Sequence, residues 1–189
     1  MGFQIVDRVL DEIVVLALER HTDERGWFSE TFRADLFERL GLPAHFLQAN
    51  HSRSHRGVLR GLHFQWQPPM GKLMRVTRGR ACLVAADIRP ASPHFRRWHA
   101  LEAAAEDPLL VWAPAGFARG FCALADDTEI EYLCTAVYEA GAQRRIRWDD
   151  PELAIRWPVE HPRLSAQDAQ APSLREWLAR GTSLPPPQV

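Results

Sequence analysis

Between residues 46 and 158, apolar and polar positions change over in short runs, at 46–51, 57–65, 72–77, 81–88, 97–102, 109–113, 117–124, 128–137, 144–148 and 153–157. Turn formers separate them: Gly71, Gly79, Pro90 with Pro93, Glu106-Asp107-Pro108, Pro114 with Gly116, Asp126-Asp127, Gly141 and Asp149-Asp150-Pro151. Period-two runs bounded by such residues predict β-strands. Their even spacing predicts an antiparallel sandwich or barrel, because parallel pairs need crossover helices for which there is no room. Shorter strand-like runs precede this core, at Phe3, Ile5 and Val6 and again at Ile13-Val14-Val15-Leu16. A helix is predicted over 33–40, with Phe32, Leu36, Phe37 and Leu40 on one face, Gly41 at its C′ position and Pro43 beyond. After 158 the strands stop. Ser165-Ala166-Gln167-Asp168 resembles a capping box with Asp in place of Glu. Residues 173–180 predict a short helix with Leu174, Trp177 and Leu178 inward and Gly181 as its stop. The chain reads as one all-β domain over 1–189, with a β core at about 46–158, a helical segment at 165–181 and a frayed tail at 182–189.

Composition narrows the function. A hydrophobic share of 46% with 25% charged residues is that of a globular domain. The net charge of −1 removes any electrostatic case for nucleic acid or an anionic membrane. No apolar run is long enough to span a bilayer. The acidic residues in MGFQIVDRVLDE leave no room for a signal-peptide apolar region. Cys82, Cys122 and Cys134 are odd in number and widely spaced, which points to a reducing, cytoplasmic location and away from a disulfide framework or a structural zinc site.

Candidate chemistry gathers in Val58-Leu59-Arg60-Gly61-Leu62-His63-Phe64-Gln65 and in Pro68-Pro69-Met70-Gly71-Lys72. Strand parity puts Arg60 and His63 on opposite faces of a regular strand; a bulge at Gly61 would unite them. Lys72 shares a face with Met74 and Val76, so it either meets an anion or reaches solvent at the strand end. Arg119 alternates with Phe117 and Phe121, which suits an anion site or an ion pair. Tyr132 faces inward with Ile130 and Cys134; alone, it reads as a packed core phenol with a hydrogen bond. His63 alone reads equally as a structural histidine. No His/carboxylate cluster has metal-ligand spacing, and neither a Gly-rich phosphate loop nor a GxSxG motif occurs.

Taken together, these words resemble the dTDP-4-dehydrorhamnose 3,5-epimerases, a cupin (jelly-roll) family of nucleotide-sugar enzymes. The matching stretches are Asp23-Glu24-Arg25-Gly26, Gln48-Ala49-Asn50-His51-Ser52, the 58–65 run, Gly71-Lys72-Leu73, Asp87-Ile88-Arg89, Pro114-Ala115-Gly116-Phe117-Ala118, Trp148-Asp149-Asp150-Pro151, Ile155-Arg156-Trp157-Pro158 and Leu164-Ser165-Ala166-Gln167-Asp168. They cover about residues 3–175 in the family's order.

The resemblance implies a double-stranded β-helix and an epimerase acting at C3 and C5 of dTDP-4-dehydro-6-deoxy-D-glucose. It implies His63 as general base, oriented by Asp168, Tyr132 as general acid on the opposite sugar face, and Lys72 as the cation for the enolate. It assigns Arg25, Glu30, Gln48, Ala49, Asn50 and Arg60 to substrate binding, with Arg119, Gln143 and Gln167 at further binding positions. It also implies a homodimer with exchanged N-terminal strands, so that Arg25 and Glu30 act across the interface, and no metal or organic cofactor. The chain departs from the family pattern at Arg119, where histidine is usual, at Cys82-Leu83, where Phe-Asp is usual, at Gln143, where an acid is common, and at Gln167, where lysine is common. The departures bear on regiochemistry. Rival readings are a mono-epimerase acting at one carbon, a non-catalytic nucleotide-sugar-binding cupin, and a metal-dependent cupin oxygenase, which lacks its ligands here.

Overall fold

The computed structural model describes residues 2–180. Its elements run β1 (Phe3–Val9), β2 (Ile13–Leu18), β3 (His21–Asp23), β4 (Gly26–Phe28), α1 (Ala34–Arg39), β5 (Gln48–Ser54), β6 (Leu59–Gln65), β7 (Lys72–Arg78), β8 (Arg80–Asp87), β9 (Trp98–Ala104), β10 (Leu109–Ala113), β11 (Phe117–Ala123), β12 (Thr128–Cys134), β13 (Gln143–Arg145), α2 (Ala166–Ala169) and α3 (Leu174–Ala179). Two antiparallel sheets face each other as a jelly-roll sandwich. The larger has strand order β1-β2-β10-β7-β12-β5 and the smaller β13-β6-β11-β8-β9; β3 and β4 form a separate hairpin. No helix among the described residues is long and apolar enough to cross a membrane.

Three apolar layers hold this together. Met74, Val76, Val111 and Ile130 of the larger sheet meet Leu83, Ala85, Phe117 and Phe121 of the smaller one in the centre of the sandwich. The outer face of the larger sheet, with Val14, Leu16, Leu73 and Trp112, packs against Phe37 of α1. Phe37 is fully buried, edge-on to Phe3 and Phe32 at 5.1 and 5.0 Å. The outer face of the smaller sheet, with Leu62, Phe64, Cys82 and Val84, is covered by Ile146, Leu153, Ile155, Leu174 and Trp177. Each large side chain so buried contributes about 1.5–3 kcal/mol by transfer from water.

The sheet reaches further toward the N-terminus than 46. β2 lies between β1 and β10, and Ile13, Val14 and Leu16 are fully buried, since this strand is covered on both faces. Its other end falls short of 158: β13 stops at Arg145, and 153–157 is a loop whose Leu153 and Ile155 pack onto the smaller sheet. The short apolar run there has a strand's pattern but serves as a plug. α3 carries the full capping box, Ser173 with Glu176, and buries Leu174 and Trp177. Gly181 and the 182–189 segment lie outside the described residues.

Candidate active site

The site is built where β6 faces β7 and β12 across the sandwich. β6 carries the decisive irregularity. Arg119 of β11 pairs with His63, and Phe121 pairs with Arg60, so Gly120 alone faces both Gly61 and Leu62. This is a bulge, and it turns Arg60 and His63 onto one face, the face of Arg119 and Phe121. Gly61 has φ of +148°, and a Cβ there would lie 2.7 Å from the Cα of Gly120. Only glycine fits at that approach. The bulge expected from Gly61 is therefore present, and the shared face follows from it.

His63 projects from this wall, part-buried, and its Nε2 lies 2.6 Å from Oδ1 of Asp168. Asp168 is 3% exposed. Its backbone N–H donates to Ser165 Oγ at 3.1 Å, the N-cap of α2, which fixes the carboxylate's direction. Arg145 of β13 sits opposite His63 in register and brings its Nε to 3.5 Å from Asp168 Oδ1. Burial pushes the Asp168 carboxyl up, but its bonds to His63 and Ser165 and the Arg145 charge outweigh this and hold it below the usual carboxylate range. The pair is thus an imidazole backed by a carboxylate that stays ionised.

Lys72 and Tyr132 stand on the opposing wall. Lys72 opens β7 between Ala113 and Cys134. Its position is fixed by Gly71, where a Cβ would come within 2.2 Å of the Trp112 ring and whose N–H donates to Thr135 Oγ1 at 2.9 Å. Lys72 Nζ lies 5.6 Å from the centre of the Tyr132 ring. Burial draws the lysine down to about 8; the Cys134 thiol opposes this and the Arg119 charge adds to it. Burial raises the Tyr132 phenol, Cys134 acts in the same sense, and the Arg60 charge opposes both. A phenol so placed keeps its proton until something strongly basic takes it.

The remaining candidates fall into three groups. Arg60 reaches across the rim of the sandwich to β5, donating from Nε to Ser54 Oγ at 3.1 Å and from its terminal nitrogen to Arg53 O at 3.3 Å. Gln48, Ala49 and Asn50 lie on β5 beside Cys134, Leu133 and Tyr132. Gln48 donates to Asn50 Oδ1 at 2.9 Å, and Asn50 donates to Cys134 Sγ at 3.6 Å, so this strand continues the Lys72–Tyr132 wall. Gln167 and Gln143 both meet Arg145, at 2.6 and 3.5 Å, beside the His63–Asp168 pair. Arg119 is 4% exposed and lies behind Lys72. Arg25 and Glu30 stand apart: Arg25, exposed on the β3–β4 hairpin, bonds to Asp23, and Glu30 pairs with Arg33 at 3.7 Å. Among the described residues no hydrogen bond or ion pair links either to the pocket. Sequence reasoning missed Arg145; it put Cys134 on the face of Tyr132 and Ser165 in a capping box, with no part in the site for either. Arg145 is one of several arginines around a loop, and only the β6–β13 register singles it out.

The family model described as dTDP-4-dehydrorhamnose 3,5-epimerase matches residues 7–176. The chain belongs to the dTDP-4-dehydrorhamnose 3,5-epimerase family. Among curated members of that family, the Methanothermobacter thermautotrophicus dTDP-4-dehydrorhamnose 3,5-epimerase is 43% identical over 84% of this chain and 85% of its own. The crystal structure of a Legionella pneumophila 3,5-epimerase in complex with dTDP-4-keto-L-rhamnose superposes with a TM-score of 0.92 at 40% identity, covering 99% of this chain and 100% of that one. A Streptomyces bikiniensis dTDP-4-dehydro-6-deoxyglucose 3-epimerase is 38% identical over 82% of this chain and 80% of its own. The 3,5-epimerase neighbours and the two facing sheets agree with the cupin jelly roll read from the sequence.

Proposed function

We propose that the protein epimerises dTDP-4-dehydro-6-deoxy-D-glucose at C3 and C5 to dTDP-4-dehydro-L-rhamnose. The observation that carries this reading is the opposition of two proton-transfer groups: His63 on Asp168 at 2.6 Å from one sheet, Tyr132 beside Lys72 from the other. A simple binding module has no use for a base and an acid on facing walls.

The C4 ketone acidifies the hydrogens on its neighbouring carbons. His63 removes one, and the carbanion's charge moves onto the C4 oxygen, where Lys72 meets it. Asp168 keeps the imidazole in one tautomer and stabilises its protonated form. Tyr132 then delivers a proton from the other side, which inverts the centre. Inversion requires this separation, since one group returning its own proton restores the starting configuration. Gln48, Ala49, Asn50, Arg60, Gln143 and Gln167 line the substrate's approach in this reading, and Arg60 suits a diphosphate through bidentate bonds.

We further infer a homodimer. Trp27 and Phe28 of the β3–β4 hairpin are 59% and 65% exposed, a costly arrangement for a free monomer. A partner covering that hairpin would bring Arg25 and Glu30 into use across the interface. Cytoplasmic placement rests on three unpaired cysteines, all buried.

Incubation with dTDP-4-dehydro-6-deoxyglucose in D₂O, followed by NMR, tests the reaction. Deuterium at both C3 and C5 with an L-rhamno product is expected. Label at one carbon alone would make the protein a mono-epimerase like its Streptomyces relative, and no label would leave only nucleotide-sugar binding.

A further inference from the structure

Lys72 is the only lysine in the chain; the other 22 of its 23 basic Lys and Arg residues are arginines. A sequence that uses arginine at every other cationic position keeps lysine at one place, and that place is the pocket wall. The two side chains differ in a way that matters there. Arginine holds its proton under nearly all conditions, whereas a buried lysine gives its proton up readily.

A second cation stands directly behind it. Arg119 extends from β11 across the sandwich to β7, donating to the Lys72 carbonyl at 3.5 Å and to Met74 Sδ at 3.0 Å. Its Nε is buried without a hydrogen-bond partner. Among the described residues neither Arg119 nor Lys72 has a carboxylate partner. Around Lys72 stand Cys134 and Tyr132 on β12, Asn50 beyond them on β5, Ala113 on β10 and Arg119 from the facing sheet, with His63 and Arg60 carried on β6 beside Arg119 and the Arg60 charge felt at Tyr132. Two positive groups without a counter-anion repel each other and are both poorly solvated. Even after burial Arg119 holds its proton to about 10, so the lysine is the group that yields.

We propose that Arg119 is a positioning residue acting through Lys72: it makes the lysine a proton donor to the substrate's C4 oxygen, in place of a fixed positive charge. This rests on the epimerase reading above. In the step, His63 takes the C–H proton and that electron pair forms the new carbon–carbon double bond. The carbonyl π pair moves onto oxygen, which takes a proton from Nζ, leaving a neutral amine and an enol. On the return, Tyr132 protonates carbon from the other side, the carbonyl re-forms and the O–H proton goes back to Nζ. Imidazolium and phenolate are then reset by exchange with solvent.

Because Lys72 is the sole lysine, protein labelled with ¹³C-lysine gives one Cε signal. Its titration midpoint is expected near pH 8 in the unaltered protein and above that in Arg119→Met and Arg119→Gln, with burial still holding it below the usual lysine range near 10.4. The basic limb of kcat/KM is expected to move upward with it. A merely structural Arg119 would lower activity at every pH and leave the midpoint in place. Lys72→Arg, which keeps the charge but not the acidity, is expected to lose about 10²–10⁴-fold in deuterium incorporation; wild-type exchange in that variant overturns the donor step. An unmoved midpoint in active Arg119 variants overturns the role of Arg119 alone. A midpoint that moves in a protein incorporating no deuterium overturns the epimerase reading and the donor step with it.

Discussion

Replacing Asp168 by asparagine removes one charge from a pair that the fold has isolated. The carboxylate is 3% exposed and meets His63 at 2.6 Å, with Arg145 at 3.5 Å and Ser165 holding its backbone. Asparagine keeps the shape and an acceptor oxygen but not the charge that stabilises an imidazolium. Hydrogen bonds to charged groups contribute about 1.5–3 kcal/mol. At about 1.36 kcal/mol per tenfold, proton abstraction through His63 slows by a factor of about 10–150. Deuterium incorporation at C3 and C5 should fall at least that far, with KM little changed, because the carboxylate backs the base and does not face the sugar. Stability carries a separate signature. The Asp168 carboxyl sits below its usual range, so its ionised form favours the folded state above about pH 3.9 and that contribution fades as pH falls through the lower folded value. The Asp168→Asn protein should therefore melt below wild type at pH 7, with the gap closing as the pH falls below that point. Exchange at the wild-type rate in this variant would refute the claim that Asp168 supports the base.

Other predictions follow from neighbouring features. Tyr132→Phe should retain solvent exchange through His63 while inversion falls by about 10²–10⁴-fold; NMR that separates label from configuration checks this, and unchanged inversion removes Tyr132 from the acid's role. Gly61→Ala forces a Cβ to 2.7 Å from Gly120 at a φ of +148°, so its Tm should fall by the equivalent of more than about 1 kcal/mol; an unchanged melting curve would show that the bulge relaxes freely. Exchanging Trp27 and Phe28 together for serine should shift sedimentation from dimer to monomer, and a dimer that persists would place the interface elsewhere.

Much of this was legible in residue order. The helix expected over 33–40 is α1 at Ala34–Arg39, stopped at Leu40 with Gly41 at φ +70°, as its glycine required. The strand runs lie close to the observed ones because period-two burial marks them, as in β5, where Ala49, His51 and Arg53 are exposed and the residues between them are not. The bulge at Gly61 could be anticipated, since a glycine within an otherwise apolar strand sat between a cation and an imidazole. Asp168 was different: the local pattern marks it only as part of a capping box, and it was linked to His63 only through family resemblance. Arg145 was invisible because its place depends on pairing between β13 and β6, which is a property of the sheet. The run at 153–157 misled because five residues of alternating pattern fit a covering loop as well as a strand. β1 and β2 were undervalued as core because the strand that extends their sheet, β10, lies far along the chain.

The bulge in β6 also determines how that strand tolerates changes in its length. Arg60 and His63 are three residues apart but face the same way, because Gly61 is the extra residue between two partners on β11. Excising Gly61 would leave Arg60, Leu62 and His63 in plain alternation, with the cation and the base still inward and Leu62 still in the outer layer. Inserting one residue there would put Arg60 and His63 four apart, which keeps their faces only by moving His63 two positions along β11, from Arg119 toward Phe117. The position least able to accept a side chain is thus the one whose deletion best preserves the geometry of the pocket. For chain length, as distinct from chain identity, it is the soft point of the wall.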